Sequence, residues 1–324
     1  MTGVQTCALP ISYEECRRIH AAHGRTYYLA TRLLPRHRRR DVWALYAFAR
    51  VADELVDAPN IQPPAPTELL AWREHAMAAM ESASEPVPVG QPVIAATWHT
   101  MHTFGLEPGL LREFLDSMVM DLTVSRYATW EELRGYMRGS AAVIGELMAP
   151  LLGAQGTSAL GHAAALGEAF QLTNFIRDIG EDHDRGRIYL PQADLARFGV
   201  SEAMLARAVH TGMPSPQVRS LVAFEVRRAV DLYVLAKPGL RMVDPRSKPC
   251  LELAFTLYRR ILHRVIANDF NVFERRLVVP PWQRLATAGH VAARSTGANV
   301  TGLVLSVASL ALVSSRRSAP RRHS

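Results

Sequence analysis

Cysteine is scarce: Cys7, Cys16 and Cys250 are the three in 324 residues. Thiols so far apart make neither a disulfide framework nor a zinc-binding spacing, so a reducing cytoplasm is the expected compartment. Lysine is scarcer still. Lys237 and Lys248 are the two lysines among 37 basic residues, the others being arginine. With abundant alanine, that bias reads as the codon usage of a GC-rich bacterial genome. Strand-like alternation of useful length is missing, and so is a G-x-G-x-x-G dinucleotide fingerprint. No nucleic-acid-binding module accompanies the net charge of +7, so nucleic acid is not an expected partner.

What is present is helical periodicity, recurring along a chain whose hydrophobic content of 48% suffices for a sizeable core. The expected fold is all-α, one large helical domain of a size that helical enzymes with one large central cavity reach. Proline and glycine punctuate it at Pro35, 59–66, 86–92, 153–156, 214–216 and 245–249. Thr129-Trp130-Glu131-Glu132 fits a capping box opening the helix that carries Tyr136. His99 and His102, at i and i+3, have no third ligand at a suitable spacing and read as an ordinary helix face.

Two aspartate pairs carry the chemistry. Asp53 and Asp57 lie in ADELVDA; Asp178 and Asp182 lie in IRDIGEDHDRGRIYLP. At i and i+4, each pair puts two carboxylates on one helix face. Tyr46, Arg50, Asp53 and Asp57 form one polar stripe, and Gln171, Asn174, Asp178 and Asp182 another. Their flanks, VWALYAFARVADELV and LGEAFQLTNFIRDIG, are too apolar all round for surface helices, so both stripes read as seams on inner helices. Buried carboxylates repel unless a cation neutralises them, and magnesium favours carboxylate, water and phosphate oxygens together. Two facing seams would make a diphosphate site.

These residues resemble the squalene/phytoene synthase family. Tyr27-Tyr28-Leu29-Ala30 through Leu33-Leu34-Pro35 and Trp43-Ala44-Leu45-Tyr46 to Asp57 is similar to its first conserved block. Gln171-Leu172-Thr173-Asn174 through Arg177-Asp178, Gly180-Glu181-Asp182 and Arg185-Gly186-Arg187-Ile188-Tyr189-Leu190-Pro191 is similar to its second. The resemblance runs from about Ser12 to Pro281, and implies an isoprenoid-synthase-type bundle that joins two allylic prenyl diphosphates head to head. Asp53-Glu54-Leu55-Val56-Asp57 and GEDHDRGRIYLP resemble the phytoene-forming branch. That branch makes 15-cis-phytoene from two molecules of geranylgeranyl diphosphate via prephytoene diphosphate, for carotenoid synthesis, without NADPH. The alternative is a C30 enzyme making squalene, dehydrosqualene or hydroxysqualene from farnesyl diphosphate. Remoter readings are a non-catalytic assembly factor of the same fold, disfavoured by the intact aspartates, and a terpene cyclase, disfavoured by the lack of a D-D-x-x-D motif.

The resemblance also implies roles. Asp53, Asp57, Asn174, Asp178 and Asp182 would hold Mg2+, with Mn2+ as a substitute, and the four aspartates with Tyr136 would be catalytic. His23, Arg25, Thr26, Tyr46, Arg50, Gln171, Asn174, Arg177 and Tyr258 would bind substrate, with Gly24 leaving room for close approach. Arg50 and Arg177 can also pair with the neighbouring aspartates. No residue is identified as terminal base, and released diphosphate is the candidate. Tyr136 to Gly145 departs from the V-A-G-T-V-G run of many relatives but keeps small residues for close helix packing.

Both ends stand apart from the domain expected over 13–281. Residues 4–11 are what a common sequencing adapter read in frame would encode, so 1–12 are expected to be an artefact. Residues 282–324 read as a basic and apolar tail, with an uncharged run over 295–315. Arg36, Arg38, Arg39 and Arg40 form a basic cluster suited to a solvated loop, to diphosphate or to anionic headgroups. The expected location is cytoplasmic, peripheral to the inner face of the cell membrane, with the membrane surface and downstream carotenoid enzymes as partners.

Overall fold

The helical periodicity is realised along the whole described chain. A computed structural model describes residues 5–56, 66–82 and 91–296. In chain order the helices are α1 (Gln5–His23), α2 (Arg25–Thr31), α3 (Arg36–Val56), α4 (Pro66–Glu81), α5 (Pro92–Phe104), α6 (Pro108–Met120), α7 (Trp130–Met137) and α8 (Val143–Leu151). There follow α9 (Thr157–Arg177), α10 (Ile179–Asp184), α11 (Gln192–Arg197), α12 (Glu202–Thr211), α13 (Pro216–Ala236), α14 (Lys248–Ala267) and α15 (Pro281–Thr296). Among the described residues, strand-like pairing is confined to an isolated bridge between Arg126 and Ile188.

Helix starts follow capping chemistry. Thr129 accepts from the Glu132 amide at 3.3 Å, while the Glu132 carboxylate reaches back to the Ala128 amide at 2.7 Å, one residue short of the reciprocal box. Ser201 and Ser215 cap α12 and α13 in the same manner, with Pro216 at the first helical position of α13. Each such cap contributes about 1 kcal/mol.

α9 is the central helix, packed against α13, α8 and α14. Close approach on the α8 side is possible because Gly145 and Gly167 lie where a Cβ would overlap the backbone of Ala163 and Ala141. The small-residue run therefore serves close packing. Between α7 and α8 the chain forms one π-turn, Arg138–Ala142, a feature often found beside functional sites.

The arginine cluster at the start of α3 is largely structural. Arg38 donates to Asp244 at 2.9 Å and to Ser247 at 3.1 Å; Arg39 donates to the carbonyls of Leu34 and Arg32; Arg40 lies over the Tyr13 ring. Arg36 is exposed. At the N-terminus α1 already begins at Gln5, and Ser12 and Tyr13 are buried, with the Tyr13 hydroxyl donating to Asp41 at 3.3 Å. At the other end 281–296 is helical and packs on α14 and α2. The apolar run lies outside the described residues beyond Thr296.

Candidate active site

A cavity of about 340 Å3 runs beside α9. Ala159, His162, Ala163, Leu166, Gly167, Phe170, Gln171 and Asn174 line it, a stripe with helical spacing on one face. Ala159 and Asn174 are fifteen residues apart, so the cavity follows the helix for about 22 Å. The opposite wall comes from α3 (Val42, Leu45, Tyr46, Ala49), from Ala30 and Thr31 of α2, and from Cys250, Leu251 and Ala254 of α14. The wall is mostly apolar. Tyr46, Gln171 and Asn174 make one end polar.

The first seam lies just beyond that end. Tyr46 lines the cavity, and Arg50 and Asp53 follow it one and two turns along α3. Arg50 donates to Asp53 at 2.8 Å and to Glu54 at 2.9 Å, and His23 lies 3.4 Å from Glu54. Asp57 lies outside the described residues. Gly24 is pressed against His20 and Tyr46, where a Cβ would not fit. Arg25 is exposed at the start of α2 and faces Arg284 of α15, whose guanidinium is pushed down by burial and by Arg25. Two facing cations beside the His23-Gly24-Arg25-Thr26 turn suit an anion.

The second seam differs from the expected single helix. α9 ends at Arg177, Asp178 sits at φ −103° and ψ 14°, and α10 restarts at Ile179. The register survives, because the Asp182 amide still donates to the Asp178 carbonyl at 2.9 Å. Arg177 Nε donates to Asp178 at 2.7 Å. Burial lowers the Arg177 pKa, but the adjacent Asp178 carboxylate more than offsets this and holds it up. Asp182 does not line the main cavity; it lines a small recess with Phe175, Arg187 and Tyr189. Burial and the neighbouring Asp178 push its carboxyl up to about 7.

The expected tyrosines separate into two groups. Tyr258 does not line the cavity but stacks directly behind it, 4.3 Å from Phe170 and 5.0 Å from Tyr27 between ring centres. Tyr136 also stays off the cavity wall. It is buried among Tyr127, Tyr189 and Phe175, and its hydroxyl donates to Asp121 at 2.7 Å. That cluster adjoins the Asp182 recess, because Phe175 and Tyr189 line both.

The donor set fits a hard divalent cation such as Mg2+ or Mn2+. Asn174 Oδ1 is buried without a hydrogen-bond partner, and Asp182 is a buried carboxyl whose pKa burial and Asp178 raise. Both are oxygen donors of the kind a hard cation takes. Among the described residues no group of three His, Cys, Asp or Glu side chains is gathered to hold an ion unaided. Further oxygens, such as those of a diphosphate, would have to complete the shell.

Sequence reasoning passed over three features. Arg276 reaches the second seam from beyond α14, donating to Asp178 at 3.0 Å and pairing with Glu181 at 3.1 Å. Asp121 receives Tyr136 and, at 3.4 Å, Tyr189. His20 lines the cavity with both ring nitrogens buried and unpartnered, stacked 4.0 Å from Tyr46, and burial pushes it down to about 3.

Known proteins resemble this chain over most of its length. The family model for squalene/phytoene synthase matches residues 20–283. The 15-cis-phytoene synthase of Synechococcus elongatus is 34% identical over 304 residues, covering 89% of this chain and 95% of that protein. That of Synechocystis is 37% identical over 289 residues, covering 85% and 82%. A dehydrosqualene synthase crystal structure superposes with a TM-score of 0.79 at 25% identity, covering 89% of this chain and 98% of that one. The squalene synthase HpnC from Alicyclobacillus acidocaldarius gives 0.72 at 27% identity, covering 81% and 96%. With its cavity, its paired seams and these relatives, the chain belongs to the squalene/phytoene synthase family.

Proposed function

We propose that this protein is a prenyltransferase that condenses two molecules of geranylgeranyl diphosphate into 15-cis-phytoene. The observation that carries the reading is the cavity: an apolar wall about 22 Å long whose polar end, at Tyr46, Gln171 and Asn174, adjoins both arginine–aspartate clusters. Relatives at 34% and 37% identity that bear the name 15-cis-phytoene synthase support it.

In the reaction, the first substrate loses diphosphate to leave an allylic cation. The second substrate's double bond attacks it, and loss of a proton closes a cyclopropylcarbinyl diphosphate. That intermediate loses its own diphosphate and rearranges, and a final proton loss gives the linear hydrocarbon. The residues that would hold Mg2+ are Asp53, Asp57, Asn174, Asp178 and Asp182; bound there it would supply Lewis-acid stabilisation of the departing diphosphate. Arg50, Arg177 and Arg276 offer guanidinium forks to phosphate oxygens. His23, Arg25 and Thr26 offer the second diphosphate a polar turn faced by Arg284. The apolar wall keeps water from the cation, and the Tyr27, Tyr46 and Phe170 rings present π faces to it. Tyr258 supports two of those rings, and Tyr136 would act through the Asp121 cluster beside Asp182.

A C30 reading is the second one, favoured by the solved dehydrosqualene and squalene synthases that share the fold. Supplying C15 and C20 diphosphates in competition, with and without NADPH, separates the two. Phytoene formation independent of NADPH supports the first reading; squalene or dehydrosqualene as the main product would replace it. The protein would work in the cytoplasm at the inner face of the membrane, beside downstream carotenoid enzymes. Among the described residues no helix is long and apolar enough to cross a membrane.

A further inference from the structure

The cavity's far end, opposite the aspartates, is walled in part by the stretch of chain over 234–246. Ala236, Gly239, Leu240 and Val243 of this stretch form cavity wall. On its outer side Val234 and Leu235 are 64% and 59% exposed, and Met242 is 39% exposed. The same stretch thus carries apolar side chains on the cavity wall and apolar side chains at the surface. It turns through a 3-10 segment, Lys237–Arg241. It is pinned at one end by His162 Nδ1, which donates to the Leu235 carbonyl at 2.7 Å, and at the other by the Arg38–Asp244 pair at 2.9 Å.

The outer side is also cationic. Lys237, Arg241 and Arg246 are exposed and Lys248 is half-buried at its edge, so both lysines of the chain lie here. Of the nearby carboxylates, Asp244 is shared by Arg38 and Arg246 and Glu252 pairs with Lys248; Asp231 stands exposed one turn before Val234. Exposed aliphatic side chains interleaved with cations match the interfacial zone of an anionic bilayer. Protein interfaces, by contrast, are depleted of lysine.

We infer that residues 234–246 form a membrane-docking face. Val234, Leu235 and Met242 enter the headgroup region while Lys237, Arg241 and Arg246 meet anionic lipid, and the far end of the cavity rests against the bilayer. That a hydrocarbon leaves by this end rests on the proposed function; the docking itself does not.

The test uses the full chain without substrate and vesicles of phosphatidylcholine alone or mixed equally with phosphatidylglycerol. Flotation should show binding to the mixed vesicles, weakened by salt. Hydrogen–deuterium exchange should show protection over 234–246. The double variant L235E/M242E should bind at least about tenfold more weakly, since burying each such side chain is individually worth that much. M213E, at a more exposed apolar site outside 234–246, should bind like wild type. Protection confined to other segments, unchanged binding of L235E/M242E, or protection of 234–246 that follows protein concentration without vesicles, as a second copy would give, would overturn the proposal. Phytoene formation in detergent should be equal in wild type and L235E/M242E, so loss of docking and failure of the chemistry are read separately.

Discussion

Arg276 donates to Asp178 at 3.0 Å across 98 residues of sequence, tying the chain after α14 to the second aspartate seam. The pair is half exposed on the arginine side, so it contributes less than about 1 kcal/mol to folding. Its place beside a diphosphate would matter more, since a hydrogen bond to a charged group contributes about 1.5–3 kcal/mol, at least tenfold in rate. Arg276→Ala should therefore melt close to wild type and lose at least about tenfold in kcat/KM, with Arg276→Lys recovering part. Thermal melts and steady-state kinetics check both. Full activity in the alanine variant would reduce Arg276 to a surface tie.

Asp53→Asn and Asp178→Asn remove a charged ligand while keeping volume. Turnover should fall at least about 100-fold, the scale seen when one preorganised electrostatic group is deleted. Asp53→Asn should fold like wild type, because its pair with Arg50 is half-exposed, whereas Asp178→Asn should fold with some loss of stability, because the largely buried Arg177 loses its charged partner. Near-normal turnover of either variant at saturating magnesium would defeat the metal assignment.

Magnesium and diphosphate should bind together. In the structure the carboxylate of Asp53 is paired with Arg50, and that of Asp178 with Arg177 and Arg276, so either component alone meets an incomplete site. Thermal stability should rise little with inorganic diphosphate or magnesium singly and more with both. Strictly additive shifts would mean that the seams do not share a site.

Chain length should be set partly by α2. Ala30 and Thr31 line the cavity and are almost fully buried, and the Thr31 hydroxyl donates to the Tyr27 carbonyl at 2.9 Å. Thr31→Phe adds bulk that a packed wall does not absorb. With both substrates in competition, the C20 substrate should lose against C15. An unchanged product ratio in a folded variant would remove α2 from chain-length control.

Most of the fold was legible in the sequence, and the reasons are local. The α9 stripe from Ala159 to Asn174 repeats with helical spacing, and Thr129 caps α7 as its motif requires. Tyr46 and Asn174 line the cavity, and Arg50 and Asp53 follow Tyr46 along α3 as their spacing implies. What was not legible depends on tertiary placement. The break at Asp178 keeps an i to i+4 hydrogen bond, so spacing alone reads it as continuous helix. Tyr136 turns to Asp121, and Arg276 to Asp178, through contacts between distant segments. His20 carries no motif at all; only its burial without partners marks it.

Glu225 gives a pH test independent of catalysis. It is buried, and a single guanidinium, Arg228, serves both it at 2.8 Å and Asp194 at 2.8 Å. Burial, against the pull of Arg228, pushes the Glu225 carboxyl up to about 7. The folded state then binds a proton that the unfolded state has lost, so stability falls as pH rises from about 4.5 through 7 and is level above. Glu225→Gln should flatten that slope, raising the variant relative to wild type by up to about 3 kcal/mol between pH 5 and 8. Denaturant unfolding at several pH values checks it; parallel pH profiles would refute proton uptake by Glu225 on folding.

The most direct measurement is the product formed by purified protein from labelled geranylgeranyl diphosphate alone, with magnesium and without NADPH. Formation of 15-cis-phytoene, abolished by chelation and reduced at least about 100-fold in Asp178→Asn, is the expected result. No hydrocarbon from the C20 substrate, with C30 product from farnesyl diphosphate under the same conditions, would contradict it.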